Sequence, residues 1–184
     1  LFDYVSAVCS ATSLGVVVYN RDNAIYSIDT ILRLCEKHPN FIGFKDGHGD
    51  LEQLTTLRAQ VGDRLSYIGG MPTAEVFAAS YMAMGFSTYS SAIYNFVPDF
   101  AMHFFRAIHN GNSGFVESAL REFFQPYLML RNRRRGYAIS IVKAGMRITS
   151  RDPGPVRAPL TDLTEAETQE LRELIGRVPA LMAA

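Results

Sequence analysis

Two side chains able to do chemistry stand at the ends of short apolar runs. Lys45 follows the run FIGF at residues 41–44, and Tyr19 follows GVVV at residues 15–18. A lysine is rarely placed after an apolar strand for stability. An amine shielded from water is the nucleophile that forms imines with carbonyl substrates, and a nearby phenol can relay protons while the imine forms. We therefore take Lys45 and Tyr19 as candidate catalytic residues.

The same two residues also have a structural interpretation. A lysine at a strand end can extend its amine to solvent while a tyrosine packs beside its alkyl chain, and neither then takes part in a reaction. Neighbouring parallel strands lie about 4.8 Å apart, so the phenol could reach the amine of Lys45 if the two strands pair. The residues alone leave both interpretations open.

The elements that would carry these residues repeat along the first half of the chain. Apolar runs at residues 15–20, 41–45, 65–70 and 86–89 are each followed by a helical pattern, at a spacing typical of strand–loop–helix units. Ser27 or Asp29 can cap the helix after the first run, and Asp50 can cap the helix after the second. Because the runs do not alternate with polar residues, they predict parallel strands covered on both faces.

From residue 97 onward the pattern is helical only. We predict helices over residues 98–109, 113–131 and 137–149, then a proline-containing crossing, then a helix that begins with the capping box of Thr164 and Glu167. The chain is therefore divided into a half-barrel of βα units at residues 1–111 and a C-terminal helical extension at residues 112–184.

Strand–helix repeats indicate an α/β protein with a parallel sheet and leave two architectures open. A length of 184 residues favours a small open doubly wound sheet, because a complete eight-stranded barrel needs about 250 residues. The candidate chemistry at the strand ends favours half of such a barrel.

Composition restricts the partners. Eighteen basic and eighteen acidic residues give zero net charge, so no overall field would attract nucleic acid or anionic lipid. No apolar run is long enough to span a membrane.

The cluster Arg131, Arg133, Arg134 and Arg135 is interpreted as a solvated helix junction or subunit contact. The four histidines show no ligand spacing, so no metal site is expected. Two cysteines cannot form a disulfide framework, which favours a cytoplasmic protein.

Several segments together resemble a known family. The segment GVVVYN, followed 26 residues after Tyr19 by the lysine of FIGFKDGHGD, resembles the dihydrodipicolinate synthase / N-acetylneuraminate lyase superfamily of Schiff-base barrels. The segments YIGG and MGFSTYSSAIYNFVP resemble its seventh and eighth strands. Within the superfamily, VVVYNRDNAIYS, FKDGHGD and RRRGYAISIVKAGMRI are most similar to the 5-dehydro-4-deoxyglucarate dehydratases. The resemblance spans nearly the whole chain. It implies the C-terminal half of a (β/α)8 TIM barrel, with four parallel strands and an all-helical C-terminal extension.

The resemblance implies roles for matching positions. Lys45 corresponds to the imine-forming lysine and Tyr19 to the proton-relaying tyrosine. Gly70 corresponds to a backbone contact with substrate or imine, and Ser87 to the pocket wall. The synthases carry a carboxylate-binding arginine five residues after the tyrosine, where this chain has Ala24, and that departure argues against dihydrodipicolinate synthesis.

Two nearby residues are substitute candidates for that arginine. Arg21 and Asn23 follow Tyr19 closely and could bind a substrate carboxylate or hydroxyls, since an arginine offers a bidentate fork to a carboxylate. Ordinary loop polarity remains the alternative for both.

The implied activity is that of a decarboxylating dehydratase. Lys45 would form a Schiff base with 5-dehydro-4-deoxy-D-glucarate, and the products would be 2,5-dioxopentanoate, CO2 and water. No metal, nicotinamide or flavin cofactor is needed, and a homo-oligomer (dimer or tetramer) is expected. The alternatives are another Schiff-base 2-keto acid aldolase or lyase of the superfamily, or a non-catalytic truncated half-barrel.

Two elements of the superfamily have no counterpart in the sequence. They are the Gly-Thr-rich loop after the second strand and the tyrosine of the fourth-strand region. The chain also begins at Leu1 within a helical pattern. We therefore expect it to be the C-terminal half of a longer enzyme.

Overall fold

Four strands in residues 1–90 form one parallel sheet, in the order in which they follow one another along the chain. The computed structural model describes residues 1–183. The strands are β1 (Val16–Asn20), β2 (Phe41–Asp46), β3 (Ser66–Gly69) and β4 (Thr88–Tyr89). The helices are α1 (Phe2–Ser10), α2 (Ile28–Lys37), α3 (Leu51–Val61) and α4 (Ala78–Ala83), with 3-10 turns at Gly62–Arg64 and Ala74–Phe77. This confirms the predicted alternation of strands and helices.

The sequential strand order decides between the two predicted architectures. A doubly wound sheet reverses its strand order at a switch point, whereas these four strands never reverse. One face of the sheet packs against the helices of the same unit and buries Val18, Phe44 and Tyr67. A sheet wound in one direction with helices on one face is the repeat of a (β/α) barrel.

The opposite face of the sheet, here called the open face, carries a different set of side chains. Strand register assigns to it Val17, Tyr19, Lys45, Ser66, Ile68 and Thr88. Val17 is 43% exposed. The uniformly apolar runs therefore do not reflect cover on both faces within residues 1–90, since only the helix face is packed by this unit.

Local signals set the helix boundaries. The Ser27 side chain caps α2 by accepting a hydrogen bond from the Thr30 amide, and Asp50 caps α3 through the Gln53 amide. α3 ends at Val61, and its C-terminal cap residue Gly62 has a φ of +60°, in the region that favours glycine. The predicted caps at Ser27 and Asp50 are confirmed.

A second unit begins at Ser91 and contains helices only. They are α5 (Pro98–His109), α6 (Ser113–Ala119), α7 (Gln125–Arg131), α8 (Tyr137–Ile148), α9 (Glu165–Gly176) and α10 (Val178–Ala183), with a π-helical stretch at Leu120–Phe124 between α6 and α7. The predicted helix over residues 113–131 is thus interrupted. Pro126 follows this stretch and has no backbone N–H to donate the hydrogen bond of a regular α-helix. The missing hydrogen bond accounts for the wider π-helical turn.

The capping box that the sequence predicts begins α9. The Thr164 hydroxyl accepts from the Glu167 amide at 3.3 Å, and the Glu167 carboxylate accepts from the Thr164 amide at 2.9 Å. α10 was not predicted; it buries Val178 and Leu181 in a segment too short to show a helical period. Within residues 1–183 no helix is long and apolar enough to cross a bilayer. The predicted boundary between residues 111 and 112 stays a prediction, and residue 184 lies outside the described residues.

Candidate active site

Lys45 and Tyr19 are neighbours on the open face. They are register partners in the parallel pairing of β1 with β2, so both side chains leave the same side of the sheet. The Lys45 amine lies 4.4 Å from the centre of the Tyr19 ring, and both side chains are half-buried. The structure therefore brings the two predicted catalytic residues together, while their roles in a reaction stay predictions.

Two glycines make room for these side chains. A Cβ atom on Gly70 would lie 2.7 Å from the Lys45 Cε, and one on Gly47 would lie 2.7 Å from the Tyr19 Cε2. Lys45 therefore runs directly over the backbone of Gly70, and the Tyr19 ring lies against Gly47. Sequence reasoning missed Gly47, although the glycine-rich segment DGHGD immediately after Lys45 carried the signal.

The Tyr19 hydroxyl has partners on two sides. It donates a hydrogen bond to the Gly70 carbonyl at 2.6 Å and accepts one from the Arg21 Nη1 at 2.9 Å. The hydrogen bond to Tyr19 raises the pKa of the Arg21 guanidinium, so this side chain stays a cation. Three predicted site residues, Tyr19, Arg21 and Gly70, are thus linked through one hydroxyl group.

Asn23 and Ser87, the two remaining predicted site residues, are both exposed. Asn23 is exposed in the turn after Arg21 and makes no hydrogen bond within residues 1–183. Ser87 is exposed and immediately precedes β4. Thr88, rather than Ser87, pairs with Ile68 and so shares the row of the open face that holds Tyr19 and Lys45. Substrate contacts by Asn23 and Ser87 stay predictions.

A buried polar network supports the strand end from the helix face. Asp46 is fully buried, and its carboxylate accepts hydrogen bonds from the Asn20 side chain at 3.1 Å and from the amides of His48 and Gly49 at 3.2 and 3.0 Å. The Tyr81 hydroxyl of α4 donates a further bond to it. These hydrogen bonds fix Asp46, the last residue of β2, and thereby the position of Lys45, which immediately precedes it.

The network extends to neighbouring elements. Asn20 also donates to Gln53 of α3 at 3.3 Å and accepts from the Tyr26 amide at 2.9 Å. Burial, together with the bond to Asp46, raises the pKa of Tyr81, which keeps that hydroxyl protonated as a donor. Sequence reasoning did not identify this network, although polar residues directly after the apolar runs (YN and KD) mark two of its members.

The two histidines of residues 1–90 make no hydrogen bond or ring contact with Lys45, Tyr19 or Arg21. His48 is exposed, and its amide rather than its ring bonds to Asp46. His38 is the C-terminal cap residue of α2, where it is buried and forms a hydrogen bond with the Ser6 hydroxyl at 2.7 Å. Among residues 1–183 no group of three or more His, Cys, Asp or Glu side chains could hold a metal ion.

Comparison with known proteins identifies the family. The model of the dihydrodipicolinate synthetase family matches residues 1–178. The chain belongs to this family. Solved members support the fold: dihydrodipicolinate synthase from Oceanobacillus iheyensis superposes with a TM-score of 0.82 at 22% identity, over 97% of this chain and 59% of that one. The synthase from Bacillus clausii gives a TM-score of 0.80 at 23% identity, over 95% and 58% of the two chains. The predicted fold class is confirmed as half of a barrel of this type with an all-helical C-terminal part.

Closer relatives in sequence carry another name. A probable 5-dehydro-4-deoxyglucarate dehydratase of Bradyrhizobium sp. (strain ORS 278) is 52% identical over 181 residues, covering 98% of this chain and 58% of that protein. One from Rhodococcus jostii (strain RHA1) is 54% identical over 178 residues, covering 97% and 59%. The chain thus spans about three-fifths of the length of these relatives. The predicted resemblance to this group within the family is confirmed.

Proposed function

We propose that this chain carries the Schiff-base residues of a decarboxylating dehydratase that converts 5-dehydro-4-deoxy-D-glucarate to 2,5-dioxopentanoate, CO2 and water. The observation that carries the proposal is the amine of Lys45 lying 4.4 Å from the ring of Tyr19 on the open face. The names of relatives at 52–54% identity support the choice of substrate. The whole reaction is proposed for the complete protein.

The first half of the proposed reaction is an elimination. The Lys45 amine adds to the substrate ketone and water leaves, which gives an iminium ion. The iminium acidifies the adjacent CH2 group, and loss of one of its protons gives an enamine. The enamine expels the β-hydroxyl as water and leaves a carbon–carbon double bond conjugated to the iminium. Tyr19 relays the protons of imine formation.

The second half is a decarboxylation. The conjugated iminium accepts the electron pair released when the distal carboxylate leaves as CO2. Protonation of carbon then converts the resulting enol to an aldehyde and restores the iminium, and hydrolysis of the imine returns the Lys45 amine and releases the dioxo acid. The water consumed by hydrolysis equals the water lost when the imine formed, so the net products are one CO2 and one water for each substrate molecule.

Substrate binding is assigned to the residues around this pair. Arg21 offers a cation to a substrate carboxylate, Gly70 a backbone contact, and Asn23 and Ser87 polar contacts at the rim. A homo-oligomeric enzyme of the cytoplasm is part of the same proposal. The family resemblance supports the homo-oligomer. The cytoplasmic location is supported by Cys9 and Cys35, which are both free thiols.

Reductive trapping tests the proposal. The complete protein is incubated with the keto-hexarate and borohydride, and peptide mass spectrometry locates the adduct. We expect an adduct on Lys45, its loss in Lys45→Ala, and release of CO2 by the wild type. Lys143→Ala is the matched control because its amine is held by the carbonyls of Pro153 and Pro155 at 3.0 and 2.9 Å.

Each other result has a definite meaning. An adduct without CO2 release favours another keto acid lyase of the superfamily. Absence of any adduct in the complete wild-type protein overturns the Schiff-base proposal.

A further inference from the structure

Arg21 reaches the reacting groups through Tyr19. Its Nη1 donates to the Tyr19 hydroxyl at 2.9 Å, and its guanidinium carbon lies 5.8 Å from the centre of the Tyr19 ring. The same hydroxyl donates to the Gly70 carbonyl at 2.6 Å. Because the guanidinium has only donors, it must occupy a lone pair of the phenol oxygen, and the phenol proton is then directed to Gly70.

A tight turn fixes the position of this arginine. Arg21 and Ala24 exchange two backbone hydrogen bonds, at 2.9 and 3.3 Å. Asp22 inside the turn has a φ of +51°, a conformation that asparagine and aspartate adopt more readily than most residues. The Asp22 carboxylate lies 3.3 Å from the Arg21 Nε. The guanidinium is thus held between a carboxylate on one side and a phenol on the other.

We propose that Arg21 is a positioning residue that acts on the reaction through Tyr19, in addition to any contact with substrate. Its guanidinium and the Gly70 carbonyl hold the Tyr19 hydroxyl from two sides, which keeps the ring against the amine of Lys45. This inference rests on the proposed function, because it assigns Tyr19 a proton-transfer step. It differs from a role in substrate binding alone, in which Arg21 would contribute independently of the Tyr19 hydroxyl.

A double-mutant cycle separates the two roles. The complete protein is prepared as wild type, Arg21→Gln, Tyr19→Phe and the double variant, and kcat and KM are measured with the keto-hexarate. We expect Arg21→Gln to lower kcat about tenfold in the wild-type background, the effect of losing one charge-assisted hydrogen bond. In the Tyr19→Phe background the same substitution should change kcat less than about twofold, since its partner is already absent.

Two further variants test whether the loss of kcat in Arg21→Gln results only from a destabilised fold. Arg21→Lys keeps a cation and a donor, and it should retain more of kcat than Arg21→Gln. Arg33→Gln is the matched control on α2, where the arginine stacks on Phe2 and pairs with Asp29, and its kcat should equal that of the wild type. Thermal unfolding of every variant shows whether it is folded.

The outcomes distinguish this inference from the proposed function. Equal fold losses from Arg21→Gln in both backgrounds, or a change in KM alone, overturn the positioning role while a borohydride adduct on Lys45 upholds the Schiff base. Absence of that adduct in the wild type overturns both.

Discussion

Gly47 lies beneath the ring of Tyr19, and a single methyl group on its Cα would come within 2.7 Å of the ring and 2.9 Å of the hydroxyl oxygen. This contact ties the loop after Lys45 to the residue that faces Lys45 from the neighbouring strand. The loop is fixed at its base as well, because the Gly47 amide donates to the Asn20 carbonyl at 2.9 Å. A side chain at this position therefore has to displace the phenol.

We expect Gly47→Ala to lower kcat at least tenfold and to cost about 1–3 kcal/mol in the free energy of unfolding, as overpacking does elsewhere. The measurements are turnover of the keto-hexarate and denaturant unfolding. Gly176→Ala is the matched control in α9, where an added Cβ would meet nothing within 4 Å. It should leave kcat unchanged and stability equal or slightly higher. Wild-type kcat in Gly47→Ala would contradict the packing argument.

The sequence predicted the parts of the site that depend on strand order. Lys45 and Tyr19 could be assigned to one edge of the sheet because each ends an apolar run and parallel strands present their carboxyl ends together. The hydrogen bond between Arg21 and Tyr19 could not be predicted, since it depends on the turn that Arg21 and Ala24 close. Proximity in sequence suggested a substrate contact for Arg21, whereas the structure shows its contact with the phenol.

The secondary structure also has features that could be predicted from the sequence and features that could not. Helix starts were predictable wherever a side chain caps them, as at Ser27, Asp50 and Thr164. The π-helical stretch before Pro126 was not, because a period of 3.6 residues extends through it nearly unchanged. Val17 illustrates the remaining limit: an apolar residue in a strand indicates burial, but its 43% exposure depends on which segments cover that face.

The buried carboxylate of Asp46 should be important for stability. Asp46→Asn replaces one carboxylate oxygen with an NH2 group, which cannot accept hydrogen bonds from the donors around it. We expect a loss of about 2–4 kcal/mol in the free energy of unfolding, together with slower trapping of an adduct on Lys45. Asp63→Asn is the control, since that side chain is 95% exposed and pairs only at the surface with Arg58, so its loss should stay below about 1 kcal/mol. Equal losses in the two variants would contradict this prediction.

Tyr81 should make stability sensitive to alkaline pH. Burial and the bond to Asp46 raise the pKa of Tyr81 in the folded state, whereas an unfolded tyrosine titrates near pH 10. Above about pH 10 the unfolded chain therefore binds fewer protons, so the stability that Tyr81 contributes is complete below that pH and declines above it. Tyr81→Phe should cost about 1–3 kcal/mol at pH 8.

The difference in unfolding free energy between wild type and Tyr81→Phe should shrink between pH 9 and about pH 11. Denaturant unfolding across this range measures it. Tyr4→Phe serves as the control, because that ring is 72% exposed on α1, and its curve should run parallel to that of the wild type. A difference between wild type and Tyr81→Phe that stays constant with pH would be inconsistent with a raised pKa for Tyr81.

Glu167 should have the opposite pH dependence in the helical unit. Burial raises its pKa, but the hydrogen bonds from Tyr137, at 2.7 Å, and from Thr164 outweigh that effect and hold the pKa below its ordinary value. A lowered pKa means that the stability contributed by Glu167 is complete above its pKa in the unfolded chain and is lost as the pH falls through its pKa in the folded protein.

Glu167→Gln should therefore cost about 1–3 kcal/mol in the free energy of unfolding at pH 7. Its midpoint of thermal unfolding should approach that of the wild type below about pH 4. Glu173→Gln, on the exposed side of the same helix, is the control and should shift the midpoint little at either pH. If the gap between wild type and Glu167→Gln widened on acidification, the carboxylate could not be the stabilising form.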